Sequence, residues 1–434
     1  MRRWTKLCAV SLLALAGTGC PGPTQVSPAP GAEPELRIAI AVGGTTASIG
    51  GPESGELFVS DAASGVPVGS VPAGVRWVVR PDSADPTRLR LIKPPPDSTR
   101  TDALRGVTVV NVTENRFVVA NGRRYRGRIT ITSGRAGAGA GGGGGGGGGL
   151  TLVNRVSLES YVAGVVGPEI GARRTDELNA VLAQAIVSRS FALKNRGRWE
   201  AFGFDAYADT RDQVYLGMAV ETPQVWDAVR RTAGQVLTYD GQVIDAYFHS
   251  TCGFSTAGVD EAFGTTRERP YLRPVSDKSG GGHYYCDISP RFRWREEWDG
   301  SELRAILSRT LASVTPLAGD GMQRITDISV TRKTRSDRVG ELRIVFERGD
   351  IRIPGPDVRT VLRPEAERWL QSTAFQLTVS KTNGEVARLV AAGAGSGHGV
   401  GMCQWGAIGR ARAGQDYRKI LSTYFPGTRI EKIY

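Results

Sequence analysis

Thr175-Asp-Glu-Leu-Asn-Ala-Val-Leu-Ala-Gln-Ala-Ile-Val-Ser-Arg-Ser-Phe-Ala-Leu-Lys-Asn195 is the strongest helical stretch of this 434-residue chain. Leu178, Val181, Leu182, Ala185, Ala192 and Leu193 recur at helical spacing and predict one apolar stripe. Arg189 follows Leu178 by eleven positions, so it falls about 20° from it on the helical wheel, inside that stripe. A guanidinium turned toward a core needs anionic or carbonyl partners, or it costs roughly several kcal/mol. Arg189 is therefore a structural ion pair or a cation lining a substrate cleft.

Upstream lies Val165-Val-Gly-Pro-Glu-Ile-Gly171, which places Glu169 in an apolar, glycine-flanked turn ahead of the helix. Burial raises a carboxyl pKa, as a general acid working near neutral pH requires. Short β-branched runs, including Leu36–Val42, Val75–Val79 and Arg126–Thr132, predict a small β-rich part over residues 35–136. Beyond residue 150, helical patterns at Ser301–Val314 and Tyr417–Tyr424 mix with strand-like runs at Arg324–Val330, Glu341–Phe346 and Phe375–Val379. The mixture lacks a regular βαβ rhythm, which predicts an α+β fold.

The start, Met1-Arg-Arg-Trp-Thr-Lys6, followed by the apolar Leu7 to Ala16, reads as an export signal over residues 1–19. That apolar run is too short to span a bilayer. Gly17-Thr-Gly-Cys20 resembles a lipobox, which makes Cys20 the lipidation site and the membrane contact a lipid anchor only. A Pro-rich tether, residues 20–34, comes next. The reading is an exported, membrane-anchored lipoprotein of the periplasm or cell surface. The formal charge of +12 suits an anionic partner, which outside the cytoplasm is cell-wall polymer or lipid rather than nucleic acid. Residues 137–149 are nearly pure glycine. Leu150 stands next, where a phosphate loop needs lysine, so this is a flexible insertion, and strand-like flanks suggest a lengthened hairpin.

All three histidines sit in short Gly-, Ser- or Cys-rich segments. His249-x-x-Cys252 and His283-x-x-Cys286 form a doubled pattern that could close a tetrahedral, structural zinc site. A Cys252–Cys286 disulfide is the equal rival in an oxidising compartment. Cys403 is left as the odd thiol. Gly397-His-Gly-Val-Gly-Met-Cys-Gln-Trp-Gly-Ala407 combines His398, Gln404 and Trp405 on a glycine-rich backbone. Polar groups beside an aromatic face suit a sugar.

Taken in order, Leu158-Glu-Ser-Tyr-Val-Ala-Gly-Val-Val166, Glu169, Ala183–Leu193, Asp212-Gln-Val-Tyr215, His249-Ser-Thr-Cys-Gly253, Pro270-Tyr-Leu272, Ser289-Pro290, Gly397–Ala407 and Ile420–Gly427 resemble the SpoIID/LytB family. That group comprises stage II sporulation protein D and amidase enhancers acting on peptidoglycan. The resemblance implies a SpoIID-like catalytic core over residues 150–434, with the β-rich part as a smaller N-terminal region. It implies lytic transglycosylation of denuded glycan strands, with Glu169 as acid/base and Gln184, Arg189, His398 and Gln404 as the other cleft residues. No cofactor is required for that chemistry. Peptidoglycan glycan strands and a cell-wall amidase are the implied partners, and a glycan-binding amidase enhancer is the alternative role. The pattern departs at Ile170-Gly171, where the family usually has Met-Pro. The stretch from Glu169 to Gln184 is about two residues longer than usual, and Cys403 stands where serine is common.

Overall fold

The computed structural model describes residues 31–95, 103–111, 117–134, 149–265, 269–313, 324–365 and 368–434. The expected leader and Cys20 lie outside these residues, as do most of the tether and glycine run.

Alternation builds the first layer. In the strand Glu35–Gly44, Leu36 and Ile38 are buried while Glu35 and Arg37 reach toward solvent. This strand pairs antiparallel with Gly149–Ser157, setting Ile38 opposite Asn154. The sheet runs Ala206–Tyr207, Glu35–Gly44, Gly149–Ser157, Arg128–Gly134, Gly106–Asn111, Leu57–Asp61, Pro67–Val71. A second sheet runs Leu89–Ile92, Arg76–Pro81, Ala47–Gly50, Val118–Ala120, Arg123–Tyr125. Arg128–Gly134 and Gly149–Ser157 pair directly, with Gly134 opposite Gly149, so the glycine run joins the two strands of a hairpin. The β-rich part is continuous with the helical part that succeeds it along the chain. Gly149–Ser157 belongs to its sheet, and the inward residues of both sheets share one core with the first helices.

The helices among the described residues are α1 (Leu158–Ile170), α2 (Leu178–Lys194), α3 (Pro223–Arg231), α4 (Val259–Phe263), α5 (Gly300–Thr310), α6 (Gly355–Val361), α7 (Gln404–Arg412) and α8 (Tyr417–Tyr424). The stretch Thr175–Glu177, expected as the first turn of α2, is a separate 3-10 turn. α2 packs against α1, α3, α7 and α8, and every residue from Ala180 to Ala192 is buried. The predicted one-sided stripe is thus a helix enclosed on all sides. Its small residues Ala180, Ala183, Ala185, Ser188 and Ser190 allow four neighbours to approach.

A second core, with Trp294, Leu303, Leu342, Ile353, Phe375 and Leu389, lies between the His249 segment and the C-terminal motif in sequence. It is framed by two three-stranded sheets, Arg293–Asp299/Glu385–Ala394/Phe375–Thr382 and Ile325–Lys333/Val339–Phe346/Gly349–Pro354. The C-terminal motif then rejoins the first core. Met402–Cys403 pairs in parallel with Phe248–His249, setting His249 beside Cys403. Helices and strands are interspersed as the sequence predicted, and the fold is α+β.

Candidate active site

Glu169 occupies the last turn of α1 rather than a free turn ahead of the next helix. Pro168 explains how its surroundings form. Proline has no N–H, so the Gly164 carbonyl loses its helical donor. Leu216 N–H donates to that carbonyl instead, at 3.2 Å. Gly164 and Gly167 clear the way for this segment: a Cβ on Gly164 would come within 2.4 Å of the Tyr215 ring, and one on Gly167 within 2.6 Å of the Val220 carbonyl. The docked segment brings Val214 N–H to Glu169 Oε1 at 3.0 Å. Gly171, at φ 73°, ends the helix by donating to the Gly167 carbonyl.

The opposite side of Glu169 is closed by α7. Gln404 Nε2 donates to the Glu169 main-chain carbonyl at 2.8 Å and to Gln184 Oε1 at 3.3 Å. Gln184 Nε2 in turn donates to Ser188 Oγ at 3.0 Å. Burial raises the Glu169 carboxyl above its ordinary pKa, while Val214 N–H and the Gln404 amide pull it the other way. The net direction is upward, toward an acid that keeps its proton.

The remaining expected residues fall elsewhere. Gln184 is fully buried beneath Gln404, so it braces the site rather than facing a cleft. Arg189, also fully buried, makes a two-pronged ion pair with Glu159, Nε at 3.0 Å and Nη2 at 2.6 Å, and also donates to the Gln235 carbonyl. Of its two expected readings, the structure gives the ion pair, not the cleft contact. His398 is half-buried among the rings of Tyr247, Phe263 and His249, and its Nδ1 accepts from Val400 N–H at 3.0 Å. Among the described residues, none of these partners bonds Glu169. Only Gln404 of the four expected cleft residues meets the glutamate.

The doubled His-x-x-Cys pattern does not close on itself. His249 Nδ1 donates to the Val400 carbonyl at 3.1 Å, and His283 is exposed beside Asp287. Cys252 and Cys286 instead meet Cys403 and Asp277, four donor atoms within 4.8 Å of one another. The short His-x-x-Cys spacing suggested local bites, whereas tertiary packing gathered the three thiols with Asp277 and left both histidines out.

Three contributors were given no role by the sequence reading, although Gln213 and Val214 lie in the quoted Asp212–Tyr215 motif. Val214 acts through its backbone, which carries no sequence signal. Gln213 is buried, accepts from Tyr161 OH at 3.1 Å and leaves its Nε2 without a partner among the described residues. Arg173, four residues past Glu169, sets its guanidinium 5.3 Å over the Trp405 ring, with Nη1 3.9 Å from Glu177 and a buried Nε that has no partner among the described residues.

The description "Stage II sporulation protein" (SpoIID) matches residues 146–239, which contain α1, α2 and Glu169. A domain of unknown function, DUF8618, matches residues 281–401, the span of the second core. Over 295 residues the chain is 30% identical to stage II sporulation protein D of Bacillus subtilis, covering 64% of this chain and 76% of that protein. An uncharacterized protein of Brachyspira hyodysenteriae is 32% identical over 287 residues, 65% of this chain and 68% of its own. The amidase enhancer of Bacillus subtilis is 25% identical over 290 residues, which are 62% of this chain and 40% of the enhancer. With 30% identity over 76% of stage II sporulation protein D and the SpoIID match across α1 and α2, the chain belongs to the SpoIID/LytB family.

Proposed function

We propose that this protein is an exported, lipid-anchored enzyme that cleaves the glycan strands of peptidoglycan by lytic transglycosylation. The family acts in cell-wall processing. The observation that carries the reaction class is the Glu169 carboxyl, mostly buried at a helix end, with burial raising its pKa. Val214 N–H occupies Oε1, so Oε2 is the oxygen that carries the proton. That proton passes to the glycosidic oxygen as the bond to C1 breaks. The emptied carboxylate then takes the proton of the sugar's own C6 hydroxyl, whose oxygen closes onto C1 to give a 1,6-anhydro end. No water is activated, so one carboxyl serves where an ordinary glycosidase needs two. Trp405 offers an aromatic face for a sugar ring. The Arg173 guanidinium above it suits the lactyl carboxylate of a muramic unit from which the peptide has been removed.

The test uses purified protein and its Glu169→Gln form on amidase-treated sacculi, with products read by mass. Release of anhydro-sugar fragments by the native chain alone supports the assignment, and their absence from the native reaction ends it. The relationship to an amidase enhancer favours a second reading, in which the site holds the strand for a separate amidase. That role requires sacculus binding that survives Glu169→Gln and faster cleavage when an amidase is added.

A further inference from the structure

We propose that Cys252, Cys286, Cys403 and Asp277 bind one thiophilic divalent ion of the zinc class, which locks the Gln404 turn against the end of α1. All four side chains are fully buried. They arrive from three separate parts of the chain: the segment after strand Phe248–His249, the loop carrying Asp277 and Cys286, and the residue that caps α7. Their ligand atoms lie within 4.8 Å of one another, and the sulfurs of Cys252 and Cys286 are 3.5 Å apart. A zinc–sulfur bond of about 2.3 Å gives a tetrahedral edge of about 3.8 Å, so one ion fits with little movement.

Hydrogen-bond donors and cations converge on the cluster. The Cys403 sulfur accepts from Cys252 N–H and from Gly406 N–H, both at 3.2 Å. Asp277 Oδ2 accepts from Cys286 N–H, while its Oδ1 takes Tyr424 OH and Arg410. A second guanidinium, the buried Arg338, donates to the Cys252 carbonyl at 3.0 Å. Three thiolates and a carboxylate around a divalent cation leave about two negative charges, and the Arg410 and Arg338 guanidinium groups stand beside them to offset that charge. Such a set has no open position, so the ion is structural and activates no water. Its effect on the glutamate is indirect, because Cys403 precedes Gln404.

The inference does not depend on the glycan reading, and its readout is separate from activity. Full-length protein purified without chelator is analysed for metal, and the thiols of Cys252, Cys286 and Cys403 are counted by alkylation and peptide mapping after denaturation with and without reductant. Expected are about one equivalent of zinc and three thiols without reductant. Metal-free protein reloaded with cobalt(II) should show thiolate-to-cobalt charge-transfer absorption, and Cys403→Ala should lose about a third of it. Should Cys403→Ala fail to fold, the native measurements decide alone. Protein that neither carries nor takes up metal, with one thiol before reduction and three after, overturns the proposal in favour of the disulfide.

Discussion

The Gln404 amide donates to the Glu169 main-chain carbonyl at 2.8 Å, bonding two residues 235 positions apart. The last carbonyls of a helix have no partner within it, and here one of them is met by a side chain from a distant part of the chain. The contact fixes where α1 stops and hence where its carboxyl sits. Gln404→Ala removes the donor from two acceptors, the Glu169 carbonyl and Gln184 Oε1. Each buried acceptor so orphaned costs about 1–3 kcal/mol. The expected outcome is a lowered urea midpoint together with slower anhydro-sugar release. A variant that kept native stability would mean that water replaces the amide at no cost.

Glu169→Gln separates catalysis from stability. Losing the proton donor lowers strand cleavage by on the order of 10²- to 10⁴-fold. Stability moves the other way. The folded pKa lies above the unfolded one, so the folded state binds the proton more tightly. Native protein therefore loses stability as pH rises from the unfolded value, near 4.5, through the raised folded value. Glutamine does not ionise and escapes that loss. The variant melts higher than the native chain at neutral pH, and the gap narrows below the unfolded pKa. Melting curves across pH check the sign without any substrate.

Much of this was legible in the sequence, for physical reasons that differ by element. Periodicity placed α2, α8 and the strand Glu341–Phe346, because an amphipathic pattern records which side is buried. It misread α2 as one-sided, because small residues such as Ala183 and Ser188 are buried without a hydrophobic signature. Glu169 stood out by its apolar flanks, but its helical turn did not, since the proline and glycines beside it usually mark a break. Arg189 is the instructive case: the wheel showed that it needs a partner, while the identity of Glu159, thirty residues upstream, comes only from the crossing of α1 and α2. The thiol cluster was half legible. Cysteines 252 and 286 were grouped, yet Cys403 and Asp277 joined them through pairing of Met402–Cys403 with Phe248–His249 and a loop closure that no local spacing encodes.

Gly164→Ala tests the docking of the Asp212–Leu216 segment. The added Cβ would stand 2.4 Å from the Tyr215 ring, whose hydroxyl donates to Asn154 at 2.7 Å and so resists moving. Overpacking of this kind costs about 1–3 kcal/mol. It also pulls Val214 N–H from the glutamate, so kcat should fall while sacculus binding is retained. Unchanged turnover would show that the Val214 contact is dispensable.

The ion pair beneath the site predicts the opposite split. Glu159 receives Arg189, Gly234 N–H and Tyr434 OH, and Arg189 has no exposed surface. Arg189→Ala leaves a carboxylate partly buried without its cation and should cost about 3–5 kcal/mol. Below the unfolding temperature, folded variant should bind sacculi like the native chain. Weak binding with native stability would return Arg189 to the cleft.

Acid sensitivity should trace to two imidazoles that bracket Val400, His249 donating to its carbonyl and His398 accepting from its N–H. Both are pushed down to about 3, His249 by burial and then Arg338, His398 by burial and then His249 and Arg359. Each is neutral when folded and takes up a proton on unfolding wherever the pH lies between about 3 and the ordinary 6.5. The stability this neutrality contributes is complete above 6.5 and is lost as pH falls toward 3. His398→Gln keeps an acceptor for Val400 N–H but cannot ionise, so it should remove up to one proton from the slope of stability against pH. Urea midpoints at about pH 7 and about pH 5.5 measure this directly. The native chain should lose more between the two than the glutamine variant does, and equal losses would mean that His398 already carries its proton in the folded protein.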